Sequence, residues 1–464
     1  MARNSFASVE IDVGEEAQEI PRPEPDTPFR ILVAGDFSGG AGRNRKPIEV
    51  DRDNFDSVLA RLAPSLRLDF GSVELPVAFR ELEDFHPDRL FEKLSPFQAL
   101  RGLRRRLADP KTFRETAAQL APQPAQPRGE ARNVSGADLL REMMGDAPHA
   151  AAGPAPAQAK SDFDRMLSEM VSKYTIAKDD PRQPEMIAQT DAAITGEMRA
   201  VLHHPAFQSL EAAWRGLYFL IRRLETGEDL KLYVMDLPAE QLLTSEGLGE
   251  LRRVAVTEST GTIGGLPWAL IVGLYSFGGE HEAILSQIAG IARSAGAPFL
   301  SGLAADVVGL KSAFEDLRRS PAARWVGLAM PRILLRMPYG KNSDETETFA
   351  FEEMPNPPEH ERYLWGNPAL AVACLLGESF NRYGWQMRAG ALRDVDGLPL
   401  HLYEADGEKK LKPCAEILMT EDAAEVLLDR GFIPVASIKD SDTVRVVRFQ
   451  SMASPNAPLS GRWT

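Results

Sequence analysis

The chain predicts an α/β fold (α+β mixed) of mixed β-sheets covered by helices, and two observations carry that reading. Short apolar runs such as "LKLYVMDLP" and "WALIVGLYSF" alternate with longer segments of helical periodicity, the order expected of strands covered by helices. One helical segment, "AFQSLEAAWRGLYFLIRRLETGED", sets Phe207, Leu210, Trp214, Leu217, Ile221 and Leu224 on a 3-4-3-4-3 spacing, a single apolar stripe. Such a stripe marks core or helix-partner packing. No internal repeat recurs at solenoid periods.

Taken in order, residues 1–27 form an amino-terminal arm. In it Val9, Ile11 and Val13 alternate with Glu10 and Asp12, a period-2 strand pattern, before "PRPEPDTP" stops regular structure. A lone terminal strand either pairs with another sheet or stays disordered. Residues 28–120 form a compact unit. It comprises the strand "FRILVAG", the segment "KPIEVDRDNFDSVLARLA", the strands "LRLDF" and "VELPVAF", and the helix "SPFQALRGLRRRLAD", whose Pro96 stands early, where a helix tolerates it. Residues 121–160 read as a Pro/Ala-rich linker interrupted by a short helical "SGADLLREMMG". The second unit, 161–464, begins with helical pieces including "PEMIAQTDAAITGEMRAVLHHP". It continues through the strands named above and "RWVGLAMPRILLRMPYG", alternating with the helices "HEAILSQIAGIARSAGA" and "NPALAVACLLGESFNRYG".

Composition narrows the function classes. The 464 residues suit two or three domains, and 44% apolar with 26% charged residues is ordinary for a globular protein. No apolar run approaches the ~18 residues that span a bilayer, and "MARNSFASVEIDVGEE" has no apolar core of the kind a secretory signal needs. The two cysteines, Cys374 and Cys414, form no CxxC pair and point to a reducing compartment, hence a cytoplasmic protein. A formal net charge of −14 argues against nucleic acid as the main partner.

The stretch "RILVAGDFSGGAGRNR" has the look of a phosphate loop and fails its chemistry. Gly35 and Gly40 have Walker spacing, but Ala41 and Gly42 stand where Lys and Ser/Thr are required; for a dinucleotide fingerprint, the third glycine slot is Arg45. A flexible turn after a buried strand is expected, with Arg43, Arg45 and Lys46 as solvated charges. The seven histidines, His86, His149, His203, His204, His281, His360 and His401, show no metal-ligand spacing. His203 and His204 read as capping or solvated groups at a helix end. Carboxylates in "EDF", "FEE" and "YEADGE" could be imagined as acid–base pairs, but among 67 acidic residues such pairs arise by chance. Arg332 and Arg336 of "MPRILLRMPYG" are better suited to structural ion pairs or carbonyl caps than to phosphate. No catalytic, cofactor or metal site is expected, and no enzymatic activity.

Two parts of the chain resemble the contractile sheath of the bacterial type VI secretion system. "PFRILVAGDFSG", "IEVDRDNFDSVLARLAP" and "FRELEDFHPDRLFEKLSPFQALRGLRRRLAD" are similar to the small sheath subunit (TssB/VipA type). From about Ala188 to Pro455 the chain resembles the large subunit (TssC/VipB, EvpB type), through "LHHPAFQSLEAAWRGLYFL", "WVGLAMPRILLRMPYG", "YLWGNPAL", "FNRYGW", "VDGLPLHLY" and "FQSMASPNAP". The resemblance implies the sheath-subunit fold with small and large domains packed together, here fused in one chain and so fixed at one to one. It further implies polymerisation with other copies around an inner (Hcp-type) tube on a baseplate, contraction that delivers effectors, and recycling by a ring-shaped AAA+ (ClpV-type) ATPase. No membrane insertion follows from it. Val9, Ile11 and Val13 would form the strand exchanged between subunits, and the Phe207–Leu224 stripe would pack small domain against large. Large subunits usually continue past the "QS…P" segment, whereas this chain stops after "LSGRWT". A non-polymerising cap or adaptor of the same apparatus is therefore the alternative.

Overall fold

The computed structural model describes residues 22–120 and 180–463, apart from residues 41, 43, 44, 72, 73, 262 and 310–312. The expected arm strand at Val9, Ile11 and Val13, the linker at 121–160 with its short helix, and the first helical pieces of the second unit lie outside the described residues, as does Arg43.

The amino-terminal region contributes β1 (Phe29–Gly35), β2 (Ile48–Val50), α1 (Phe55–Leu62), β3 (Ser65–Asp69), β4 (Glu74–Ala78), α2 (Pro87–Lys93), α3 (Ser95–Ala108) and α4 (Pro110–Leu120). The carboxy-terminal region opens with two long helices, α5 (Arg182–Leu202) and α6 (Pro205–Arg223), then β5 (Leu230–Asp236), α7 (Ser245–Arg252), β6 (Leu270–Phe277), α8 (Glu282–Ala295), β7 (Phe299–Leu303) and β8 (Val326–Met330). It continues through β9 (Ile333–Leu334), β10 (Trp365–Gly366), α9 (Ala369–Tyr383), β11 (Asp394–Val395), β12 (His401–Ala405), β13 (Glu408–Lys412), α10 (Glu421–Asp429), β14 (Ile433–Ser437) and β15 (Val444–Val446).

One nine-stranded sheet, ordered β11-β15-β14-β8-β7-β6-β1-β5-β2, organises both regions. Its six inner strands, β14 to β5, run parallel, and antiparallel partners close the edges. β1 lies between β5 and β6, pairing in parallel with each, Phe29 opposite Leu230 and Ile31 opposite Leu270. An amino-terminal strand therefore stands inside the sheet of the carboxy-terminal region. Apart from Arg30, β1 is apolar, because both its faces are covered. Phe29, Ile31 and Val33 join the core beneath α6 and α9, while Leu32 and Ala34 join the core beneath α7 and α8. Two separate hairpins, β3–β4 and β12–β13, stand outside this sheet.

Local chemistry accounts for the helix boundaries. His204 caps α6, its Nδ1 accepting from the Ala206 N–H at 3.3 Å, with Pro205 in the first turn. α8 ends at Gly296 in the left-handed region. The segment after β8 leaves the strand at the cis peptide Met330–Pro331, so "RWVGLAMPRILLRMPYG" is two strands and a loop, not one strand. No helix among the described residues is long and apolar enough to cross a membrane.

Candidate functional site: the seam between the two regions

After β1 the chain turns through "GDFSGG". The Asp36 Oδ1 atom accepts from the N–H groups of Ser38 (3.2 Å), Gly39 (2.8 Å) and Gly40 (2.9 Å). Asp236, at the end of β5, accepts the Phe37 N–H at 3.0 Å, and Ser38 Oγ accepts the Gly42 N–H at 2.9 Å. The amides that could cradle a phosphate are thus donated to the chain's own side-chain oxygens, and the loop is filled from within. Gly39 is required here: its φ is +79°, and a Cβ would lie 2.3 Å from the Ser65 carbonyl oxygen. Burial pushes the Asp236 carboxyl up, against the lowering by its Ser38 and Phe37 hydrogen bonds.

The stripe on α6 meets the amino-terminal region directly. Phe207, Leu210, Trp214, Leu217 and Ile221 are buried, and Leu224, just beyond the last turn of α6, is buried too. Trp214 donates its Nε1–H to the Phe37 carbonyl at 3.1 Å and sits edge-on to Phe37 and Phe55, with centroids 5.2 and 5.7 Å away. Phe207 meets the stacked pair Phe79–Phe85. An apolar stripe of that length is stable only under cover, and four aromatic residues donated from the other region, Phe37, Phe55, Phe79 and Phe85, supply much of it.

Polar staples flank this core. In "DRDNFD", Asp51 and Asn54 bond each other's backbone, which aims Arg52 at the end of α6, where it donates to the carbonyls of Ile221 (3.1 Å) and Arg222 (2.6 Å). Those carbonyls lie in the last turn, where a cation is favoured. In "EDFHPD", buried Asp84 accepts the Arg80 N–H at 2.7 Å and the Lys93 ammonium, fixing the turn. Asp88 then accepts the N–H groups of Glu347 (2.9 Å) and Thr348 (3.0 Å) from the other region. Phe91 stacks on Phe349 at 4.4 Å. Arg45 pairs with Glu246 at 2.7 Å and reaches Gln241, so it is a seam residue and not a solvated loop charge. Arg104 forms a two-bond ion pair with Asp191 of α5.

A charge cluster lies under the stripe. Arg336 forks onto two carboxylates, donating to Glu211 (2.8 and 3.3 Å) and Glu353 (2.7 and 3.1 Å), both fully buried. Arg215 binds Glu211 at 2.6 Å and the Tyr339 hydroxyl at 2.9 Å, and the Tyr339 N–H donates to Glu353 at 2.8 Å. His203 lies 3.3 Å from Glu353, and the Tyr339 ring meets His86 of the amino-terminal region edge-on. Burial raises the Glu353 carboxyl, but the Arg336 charge and the hydrogen bonds outweigh it and hold the pKa at about 2. The cluster has as many guanidinium groups as carboxylates, and every carboxylate oxygen is bonded. This is the arrangement in which buried charge is tolerated.

The remaining candidates take structural roles. Arg332 binds Glu416 through two bonds (2.9 and 2.5 Å), so both arginines of "MPRILLRMPYG" are ion-paired. Glu353 of "FEE" and Asp84 of "EDF" are buried hydrogen-bond acceptors, and Asp406 of "YEADGE" pairs with Lys410 at the β12–β13 turn. A cleft of about 450 Å³ opens beyond the carboxyl ends of β1 and β6, lined by Asp36, Gln208, Tyr275, Ser276, Tyr363 and Asn367. No group of three or more His, Cys, Asp or Glu side chains among the described residues is placed to hold a metal ion. Sequence reasoning missed Glu211 and Glu353 as buried counter-ions. The available signal was Glu211 beside the stripe with Arg215 four positions on, the spacing of a helical ion pair.

Comparison with known proteins matches both regions. Residues 184–315 and 312–454 fit the family model described as EvpB/VC_A0108, tail sheath N-terminal domain. Residues 9–122 fit the model described as type VI secretion system, VipA, VC_A0107 or Hcp2. The chain is 32% identical over 304 residues to the type VI secretion system sheath protein TssC1 of Pseudomonas aeruginosa, covering 58% of this chain and 61% of that protein. It is 27% identical over 126 residues to the sheath protein TssB1 of the same organism, covering 24% of this chain and 73% of that protein. The chain thus spans about three fifths of the length of TssC1.

Proposed function

Because the chain belongs to the type VI secretion sheath family and carries small- and large-subunit regions in one polypeptide, we propose that it is a structural subunit of a contractile tail sheath. Copies of it polymerise around an inner tube of Hcp type, on a baseplate in the cytoplasm, and contraction of the sheath drives effector delivery. The role is mechanical, not enzymatic. The observation that carries this reading is the intercalation of β1 between β5 and β6. It joins the small and large regions in one sheet, which supports a lattice that moves by repacking between such units.

Assembly of such bodies is head-to-tail and non-closing, so it yields a helical tube. Val9, Ile11 and Val13 would add as a strand to the edge of a neighbour's sheet, gaining main-chain hydrogen bonds and one row of apolar contacts. A ring-shaped AAA+ ATPase of ClpV type would recycle the contracted sheath.

Negative-stain microscopy of the full chain with its inner-tube protein tests this. Tubes are expected from the full chain, and none from a chain starting at Pro28 whose circular dichroism is unchanged. Dispersed protomers from the full chain at every ratio of inner-tube protein would refute the sheath role. Normal tubes from the shortened chain would remove only the exchanged strand.

A further inference from the structure

Beyond the seam, the β12–β13 hairpin brings an amine, an imidazole and a carboxylate into line. Lys412 Nζ lies 2.6 Å from His360 Nδ1. His360 Nε2 faces Glu416 Oε1 at 4.0 Å, and Glu416 is held in turn by Arg332. The turn carrying His360 is fixed by the Trp365 Nε1–H, which donates to its carbonyl at 3.1 Å. Lys412 rests on an aromatic shelf, 5.1 Å from the Tyr363 centroid and 5.5 Å from that of Trp365, and remains partly exposed. Lys412 and His360, within hydrogen-bond reach, form the nucleophile–base pair of an activated nucleophile, with the Glu416 carboxylate on the far side of the ring.

We propose that Lys412 is a site of acyl modification, its ε-amine activated by His360 toward small acyl phosphates. His360 Nδ1 takes a proton from the ammonium, and the freed lone pair of Nζ attacks the carbonyl carbon of the acyl phosphate. The C–N bond forms as the C–O bond to phosphate breaks. Inorganic phosphate leaves with the electron pair, and the second N–H proton passes to water, leaving a neutral amide. The charged groups around the amine pull both ways. Burial pushes the Lys412 ammonium below the usual lysine range, against the raising effect of Glu416 and Glu361. Burial, and then the Lys412 charge, lower His360 as well, so its imidazole is neutral near pH 7 and free to accept. The faces of Tyr363 and Trp365 favour the cation. Acylation removes that cation from the shelf and from His360.

Its neighbours supply internal controls. Lys409 is exposed on the same strand, and Lys410 is paired with Asp406 at 2.9 Å. The intact chain is incubated with acetyl phosphate, and site occupancy is followed by peptide mass spectrometry. Lys412 is expected to acetylate about a hundredfold faster than Lys409 or more, the lower end of what a positioned base contributes. Its rate should reach a plateau at a pH below the ordinary lysine range. His360→Gln keeps a hydrogen-bond acceptor but cannot take the proton, and should bring Lys412 down to the Lys409 rate with unchanged circular dichroism. Equal rates at Lys412 and Lys409 in the native chain, or a Lys412 rate untouched by His360→Gln, would overturn the assignment.

Discussion

The indole of Trp214 and the backbone of Phe37 are joined across the seam: Nε1–H donates to the carbonyl at 3.1 Å while the two rings meet edge-on. That contact ties the α6 stripe to the loop after β1, so one side chain reports on the whole junction.

Trp214→Ala should therefore destabilise the chain by about 3–5 kcal/mol, the cost of an aromatic-sized cavity. Trp214→Phe keeps most of the apolar volume and loses the hydrogen bond, a cost of about 1 kcal/mol beyond the smaller ring. Denaturant midpoints measured by tryptophan-independent circular dichroism would separate the two. Equal midpoints for the two variants would argue against the packing role.

The charge cluster should respond to the loss of one partner more than to its neutral replacement. Arg336→Met leaves Glu211 and Glu353 buried without their shared cation, at a cost of about 3–5 kcal/mol. A pH dependence follows from Glu353, whose folded pKa of about 2 lies below the ordinary 4.5. A depressed carboxylate contributes stability that is fully present above its unfolded pKa and is lost as pH falls through the folded one. Stability should thus decline between pH 4.5 and about 2. In Glu353→Gln this part of the acid dependence should vanish, and an unchanged acid limb would sink the assignment.

The "GDFSGG" loop should bind no nucleotide, because its amides already serve Asp36, Ser38 and Asp236. Titration with ATP or GTP should show no saturable signal, and saturable binding lost in an Arg45→Ala variant would contradict this. Gly39→Ala should destabilise strongly, since the added Cβ meets backbone and the φ is positive. Asp36→Ala should cost about 1–3 kcal/mol by leaving amides unpaired.

The polar staples should rank by burial. Arg104→Ala removes an exposed ion pair with Asp191, and the effect should stay within about 1 kcal/mol and shrink with added salt. Asp88→Ala releases two backbone amides of the segment at Glu347 and Thr348, and should expose that segment to limited proteolysis near Phe349. The opposite ranking would mean that the seam is held at α3–α5.

Much of this architecture is legible without coordinates. The alternation of apolar runs with helical periods marks β1, β5, β6 and β8 and the helices between them. The 3-4-3-4-3 spacing marks α6 and its buried face, because both patterns follow from local geometry, period 2 in a strand and 3.6 in a helix. The failed Walker spacing excludes a phosphate loop on chemistry alone. The sequence also distinguishes its two regions, through motifs such as "DNFD" and "DFHPD" before the Pro/Ala-rich stretch and "YLWGNPAL" after it.

Only the tertiary structure decides how the regions join. A short apolar run says that β1 is a strand, but strand neighbours are set by long-range hydrogen bonding, so its place between β5 and β6, roughly two hundred residues on, has no local signature. The same holds for charge. Arg336 of "MPRILLRMPYG" reads as a structural ion-pair former, but Glu211 and Glu353 look like surface residues in a list of letters. They become a balanced buried cluster because folding removes water from all of them at once and leaves each carboxylate only the guanidinium groups beside it. Lys412, His360 and Glu416 likewise meet only when the hairpin folds against β10. The sequence determines which elements form, since that depends on neighbours along the chain; which side chains share one dielectric environment depends on neighbours in space.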